Sequence, residues 1–208
     1  MRAGTFTDLG RRAPHSPRLA RRHFVTPSVT VRALTEYAVT YRDGPFQLAS
    51  GATSHYYVDV KAALCRPAVL QEISSAIVAL ARREGVTFTA VGGLTMGADA
   101  VAVAVSLASG VPWFSVRKEA KGRGHARSIE GAQLGAGDRV LLVDDVVSTG
   151  GSTLRALDAV EAAGAVASAA IPVVDRGDAA AAALEGRGVR YLPLVTHEAL
   201  GIPALGSE

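Results

Sequence analysis

The sequence is poor in cysteine and in long apolar runs and lacks the Gly-Lys-Ser/Thr motif, and each of these absences excludes a class of protein. With Cys65 as its one cysteine, the chain has neither an internal disulfide nor a cysteine-rich metal site. No apolar run approaches the ~20 residues of a membrane-spanning helix. No Gly-Lys-Ser/Thr sequence of a phosphate-binding P-loop occurs. We therefore expect a soluble, cytoplasmic protein that does not bind a membrane and is not a P-loop enzyme.

Positive charge is concentrated at the beginning of the chain. Residues 1–31 contain six arginines and one aspartate, a net charge of +5, which leaves −2 for the remainder of a chain whose total is +3. A slightly acidic body does not predict nucleic-acid binding. Pro14, Pro17 and Pro27 interrupt any helix in this leader. We interpret residues 1–31 as disordered or non-native, in preference to an organellar transit peptide, and expect one domain over residues 32–208.

Apolar segments alternate with segments of helical periodicity from about residue 67 onward. The predicted strands cover residues 88–93, 111–116, 139–145, 166–175 and 189–195, and the predicted helices cover 67–84, 98–108, 152–165 and 178–184. Strands that are apolar throughout and separated by helices predict an α/β fold, a Rossmann-like parallel sheet flanked by helices. Ligands of such sheets bind beyond the carboxyl ends of the strands. This rule places residues 92–99, 117–131, 144–153 and 175–178 in one crevice.

The segment "RVLLVDDVVSTGGST", residues 139–153, combines two acids with a loop of hydroxyls and glycines. We expect Asp144 and Asp145 at the end of a strand over residues 139–143, before a loop that leads into a helix. Helix N-termini offer amides to anions, and carboxylates accept hydrogen bonds from hydroxyls or hold a hydrated cation. Together they predict a ribose 5-phosphate site; the alternative is a plain strand end followed by a helix cap. The candidate loop residues are Val146, Val147, Ser148, Thr149, Gly150, Gly151 and Ser152.

This motif resembles the phosphoribosyl-pyrophosphate (PRPP) site of type I phosphoribosyltransferases. Two further segments resemble the orotate phosphoribosyltransferases of that family: "FQLASGATSHYYVDV" at residues 46–60, and residues 116–131 with their Arg-Lys-Glu-Ala-Lys core. "VVDRGD" adds Arg176 where these enzymes place an arginine that binds the orotate carboxylate. The resemblance extends in the same order from about residue 46 to residue 202.

The resemblance implies a fold, a reaction and an assembly. The fold would be the type I phosphoribosyltransferase fold, with a small N-terminal hood at about residues 32–66 and a core at about 67–208. The reaction would transfer phosphoribosyl from PRPP to orotate, giving orotidine 5′-monophosphate and pyrophosphate in pyrimidine (UMP) biosynthesis. Mg²⁺ would be held by PRPP and water near the two acids, and a homodimer would share its active sites. A phosphoribosyltransferase for another base and a non-catalytic PRPP-sensing regulator are the alternatives.

The resemblance also assigns roles to individual residues. The residues assigned to catalysis are Lys121, Arg123, Asp144 and Asp145. The residues assigned to PRPP binding are Asp144, Asp145, the loop residues 146–152, Arg117, Lys118 and Lys121. The residues assigned to orotate binding are Ser148, Arg176, Tyr56 and Tyr57. Either tyrosine could instead be an ordinary core aromatic.

Three positions depart from the family pattern. Many relatives have lysine at the positions of Ala49 and Met96 and histidine at that of Arg123. An arginine does not serve as a proton donor near neutral pH, so His125 is the reserve candidate for that role.

Overall fold

The N-terminal part of the fold is a helical and hairpin layer. The computed structural model describes residues 28–47, 51, 53–118, 128–177 and 179–205. This layer consists of α1 (Ser28–Ala38), the antiparallel pair β1 (Val39–Gln47) and β2 (Thr53–Val58), and α2 (Val60–Leu64). Helix α1 begins inside the segment 1–31 that the sequence assigned to a leader, and Thr30 is buried, with its hydroxyl donating to Glu72 Oε1 at 3.3 Å. The folded domain therefore begins before residue 32, and residues 1–27 lie outside the described part.

The remainder of the chain forms a mostly parallel sheet with helices between its strands. In chain order the elements are α3 (Pro67–Arg83), β3 (Ala90–Leu94), α4 (Asp99–Ser109), β4 (Trp113–Val116), β5 (Ile129–Gly131), β6 (Arg139–Val147), α5 (Gly151–Ala162), β7 (Val166–Asp175), α6 (Ala179–Glu185), β8 (Arg190–Tyr191) and β9 (Val195–Thr196). The strand order is β5-β4-β3-β6-β7-β8, and β9 also pairs with β7. Only β5 runs antiparallel to its neighbour among the described strands of this sheet.

Alternating residues of the central strands face two separate halves of the core. On β6, Leu141 and Val143 pack into a cluster with α3 and α4, whereas Val140 and Leu142 pack into a second cluster with α5 and α6. Successive side chains of a strand point to opposite faces, so both faces of this sheet are buried. A strand buried on both faces must be apolar throughout, which is the pattern in the sequence. The predicted α/β fold with a flanked parallel sheet is therefore confirmed.

Two predicted strand boundaries are corrected. Strand β6 continues to Val147, because Asp144, Val146 and Val147 stay in register with β7. The acids therefore lie within the strand rather than after it. The predicted strand over residues 189–195 is divided into β8 and β9 at Pro193, which has no N–H to donate to a sheet. None of the helices in the described ranges is long and apolar enough to span a bilayer.

Candidate active site

Two buried carboxylates lie near the carboxyl end of β6. Asp144 Oδ1 accepts a hydrogen bond from the N–H of Asp145 at 3.0 Å, and Asp145 Oδ1 accepts one from the N–H of Val146 at 2.8 Å. Both acids are buried although they are adjacent and of like charge. Burial, followed by the negative charge of Asp145, raises the pKa of Asp144 to about 8. The pair is thus held in a fixed geometry by the backbone of its own strand.

The turn after β3 brings its backbone against these carboxylates. A Cβ atom added to Gly97 would lie 2.5 Å from Asp144 Oδ1 and 2.6 Å from Asp145 Oδ1, so only glycine fits there. Asp99, in the first turn of α4, accepts hydrogen bonds from Thr95 Oγ1 at 2.7 Å and from Ser115 Oγ at 2.5 Å. These bonds hold both ends of the turn, so β3, α4 and β4 together determine the position of Gly97.

Lys61, a residue to which the sequence gave no role, reaches the acidic pair from α2. Its ammonium forms an ion pair with Asp145 Oδ2. Burial acts to lower the pKa of Lys61, but the hydrogen bond and charge of Asp145, together with the charges of Asp59 and Asp144, outweigh burial and leave the pKa above its ordinary value. Lys61 is therefore charged near neutral pH. Its one signal in the sequence is that lysine is rare in this chain, three residues against nineteen arginines.

Of the predicted phosphate loop, Val146 and Val147 belong to β6, and residues 148–150 follow the strand at the same edge of the sheet. Gly150, with a φ of +83°, is the last residue before α5, and a Cβ there would lie 3.3 Å from the Cα of Ala180. No side chain of the described residues caps the N-terminus of α5. Ser148 is half-buried and Thr149 is exposed. The first turn of α5 therefore presents backbone N–H groups beside two hydroxyls, an arrangement that suits a phosphate.

Arg176 connects the β1–β2 hairpin to the central sheet. It follows β7 directly, is 2% exposed, and donates hydrogen bonds to Ser54 Oγ at 3.4 Å and to the carbonyl oxygen of Tyr56 at 3.5 Å. Tyr56 packs against the buried core, whereas the next residue, Tyr57, is exposed and lies edge-on to Phe46. The structure therefore brings Arg176 together with the strand of the two tyrosines. Their contacts with orotate stay predictions.

The residues predicted to bind pyrophosphate are only partly described. Lys121, Arg123 and the reserve candidate His125 lie outside the described ranges, as does Ala49. Lys118 is exposed. Arg117 pairs with Glu130, and its N–H donates to the carbonyl oxygen of Ser128 at 2.8 Å.

The segment between Arg117 and Ser128 therefore begins and ends at the β4–β5 pair, beside the turn that contains Met96. Met96, at a position where the sequence analysis noted a frequent lysine, is exposed.

The acidic pair offers carboxylate oxygens, the ligand type that a hard cation prefers. In the described part of the chain, no group of three or more His, Cys, Asp or Glu side chains is arranged to hold a metal ion. Two adjacent carboxylates can accept hydrogen bonds from metal-bound water or from ribose hydroxyls, and hard cations such as Mg²⁺ prefer oxygen ligands. The side chains that fit this role are Asp144 and Asp145.

Similarities to known proteins agree with this geometry. Residues 61–184 match the phosphoribosyl transferase domain. An orotate phosphoribosyltransferase of Methanoculleus marisnigri is 50% identical over 152 residues, 73% of this chain and 85% of that protein. The Mycobacterium tuberculosis orotate phosphoribosyltransferase in complex with PRPP has a TM-score of 0.70 and 33% identity, covering 84% of this chain and 98% of that one. The enzyme from Aeropyrum pernix has a TM-score of 0.72 and 28% identity, covering 82% and 94%. By its sequence and its fold, the chain belongs to the orotate phosphoribosyltransferase family.

Proposed function

We propose that the protein transfers the phosphoribosyl group of PRPP to orotate, giving orotidine 5′-monophosphate and pyrophosphate in the synthesis of UMP. The observation that carries this proposal is the convergence of three features at one edge of the sheet. They are the acidic pair of β6, the uncapped N-terminus of α5 and the buried guanidinium of Arg176. The first two suit the ribose and the 5-phosphate of PRPP, and the third suits a carboxylate, whose two oxygens match the fork of an arginine.

The donor half of the site binds and orients PRPP. Asp144 and Asp145 accept hydrogen bonds from the ribose hydroxyls, and the amides and hydroxyls of residues 148–152 bind the 5-phosphate. Asp144 and Asp145 would hold Mg²⁺ through its water ligands, and the metal would supply positive charge against the departing pyrophosphate. Arg117, Lys118, Lys121 and Arg123 add positive charge on that side and stabilise the same developing charge.

The acceptor half holds orotate so that its ring nitrogen N1 faces C1′ of the ribose. Arg176 and Ser148 bind the acceptor, and Tyr56 and Tyr57 contact its flat ring. The N1–C1′ bond forms as the bond from C1′ to the pyrophosphate oxygen breaks, and both electrons of that bond leave with pyrophosphate. Fixing both reactants in this alignment supplies much of the rate acceleration.

The test is orotate consumption, followed by ultraviolet absorbance, with purified protein, PRPP and Mg²⁺. Lys121→Ala should lower the rate at least about 100-fold. Arg83→Ala is the matched control, because it removes a positive charge from the C-terminal end of α3, where Arg83 pairs with Glu84. Turnover with adenine, uracil or another base in place of orotate would identify a different phosphoribosyltransferase. PRPP binding without release of pyrophosphate would identify a PRPP-sensing regulator.

We infer that the protein is a homodimer whose subunits complete each other's active sites. Supporting this, Val103 and Leu107 lie one turn apart on α4 and are exposed, Leu107 by 83%. Apolar side chains on one helical face are typical of an interface. Sedimentation equilibrium should give a dimer for the natural protein and a monomer for Leu107→Asp, while Leu107→Met should remain dimeric. A monomeric natural protein would refute this inference. The cytoplasmic location stays a prediction.

A further inference from the structure

Lys61 joins the N-terminal layer to the acidic pair. It lies in α2, which begins two residues after the hairpin strand β2 ends, and its ammonium contacts Asp145, 84 positions further along the chain. The side chain of Lys61 is 54% exposed, whereas that of Asp145 is 10% exposed. The lysine therefore reaches from the surface to a carboxylate that is otherwise enclosed by protein.

With this contact, both carboxylate oxygens of Asp145 accept a hydrogen bond. Oδ1 accepts from the N–H of Val146, and Oδ2 accepts from Lys61. One donor belongs to the rigid strand and the other to a side chain that can move, because the stem of a half-exposed lysine has several accessible rotamers. The orientation of the carboxylate thus depends on Lys61 as well as on β6.

The same contact balances charge. Asp144 and Asp145 bring two adjacent carboxyl groups into a buried position, and Asp59 also lies close enough to act on Lys61. An ammonium held on one of the acids reduces the negative potential that attracts a free divalent cation. A hydroxyl donor from a sugar is less affected, since it needs a correctly oriented acceptor more than it needs a net negative charge.

We propose that Lys61 is a positioning residue: it orients Asp145 for the ribose of PRPP and acts as the resident counter-ion that keeps free divalent cations off the acidic pair. This inference rests on the proposed function, because it takes PRPP as the ligand of the acids. It predicts effects of opposite sign. Loss of the ammonium weakens PRPP binding, which needs the orientation, and strengthens the binding of a bare cation, which needs the charge.

The experiment compares Lys61→Ala, Lys61→Gln and Lys61→Arg with the natural protein and with Arg83→Ala, a matched loss of one positive charge away from the acids. Mn²⁺ alone, measured by electron paramagnetic resonance without PRPP, should bind at least about threefold more tightly to Lys61→Ala and Lys61→Gln. PRPP, measured by calorimetry with Mg²⁺, should bind about tenfold more weakly to both. Lys61→Arg should restore most of both values, and Arg83→Ala should change neither.

The two measurements separate the possible failures. Weaker binding of both ligands to the folded Lys61→Gln protein would mean that Lys61 only supports the structure and would overturn the proposal. Unchanged Mn²⁺ binding would overturn it as well. Failure of the natural protein to bind PRPP would refute the proposed function, and the Mn²⁺ measurement would then still decide whether Lys61 is the counter-ion. Circular-dichroism melting curves identify folded variants, and the Gln variant, which keeps most of the stem, decides if the Ala variant unfolds.

Discussion

Replacing Gly97 by alanine should disable the site with little loss of fold. The added methyl would lie 2.5 Å from Asp144 Oδ1, 2.6 Å from Asp145 Oδ1 and 3.2 Å from Asp145 Cγ. Ordinary van der Waals contacts of a Cβ atom begin at about 3.4 Å, so the methyl overlaps both carboxylate oxygens by roughly 1 Å. Something must move by about that distance for the chain to fold.

The carboxylates are the groups that yield. Rotation of either acid breaks its hydrogen bond from the next N–H of β6, while retreat of the turn breaks the bonds of Thr95 and Ser115 to Asp99. Overpacking of this kind costs about 1–3 kcal/mol, and each kcal/mol lowers Tm by about 2–4 °C in a domain of this size. Displacement of a reacting geometry by about 1 Å costs roughly 100-fold in rate.

The expected result is therefore a fall of at least about 100-fold in kcat/KM for PRPP in a protein that still unfolds cooperatively. Steady-state assays and calorimetric melting measure the two effects. Gly135→Ala is the matched control, because a Cβ at Gly135 would meet nothing within 4 Å and its φ lies outside the left-handed region. A Gly97→Ala enzyme within about threefold of the natural activity would refute the reasoning, because the acids would then tolerate displacement.

Three further predictions concern stability and substrate binding. Folding raises the pKa of Asp144 from 3.8 to about 8. Between about pH 4 and about pH 8 the folded chain therefore holds a proton that the unfolded chain releases. The free energy of unfolding should fall as the pH rises through this range. Urea unfolding across that range should show a flatter profile for Asp144→Asn; an equally steep one would contradict the assignment. The buried hydroxyl of Thr153 has no hydrogen-bond partner among the described residues, so Thr153→Val should leave stability unchanged or raise it by up to ~1 kcal/mol in thermal unfolding, and a clear loss would contradict this. Arg176→Lys should raise KM for orotate at least about tenfold without changing KM for PRPP; equal changes would exclude a specific role on the acceptor side.

The architecture could be predicted because it depends on patterns that lie within short segments. Apolar runs without alternation indicated strands buried on both faces, and the predicted helices over residues 67–84 and 152–165 correspond to α3 and α5. The location of the site could also be predicted, because ligands of parallel sheets bind beyond the carboxyl ends of the strands. This rule placed the acids beside the phosphate loop.

Features that depend on distant partners could not be predicted in this way. Strand β6 extends through Asp144 because β7 supplies matching hydrogen-bond partners, and polar residues in isolation indicate the end of a strand. The contact of Lys61 with Asp145 joins positions 84 apart, and no local pattern reports it. The close approach of Gly97 likewise depends on how the turn after β3 packs on β6. Lysine is rare in this chain, but that scarcity applies equally to Lys61, Lys118 and Lys121 and does not show which of them contacts the acids.

The amino end of β4 provides an optical signal for studying this protein. Trp113 is the sole tryptophan of the chain, is 39% exposed, and its carbonyl oxygen accepts a hydrogen bond from the N–H of Ala132, just after β5. Its emission therefore comes from one place, the amino end of β4 in the β4–β5 pair. Rapid-mixing fluorescence with excitation of this indole can follow the folding of the β4–β5 pair on the unlabelled protein, without separating the contributions of several emitters.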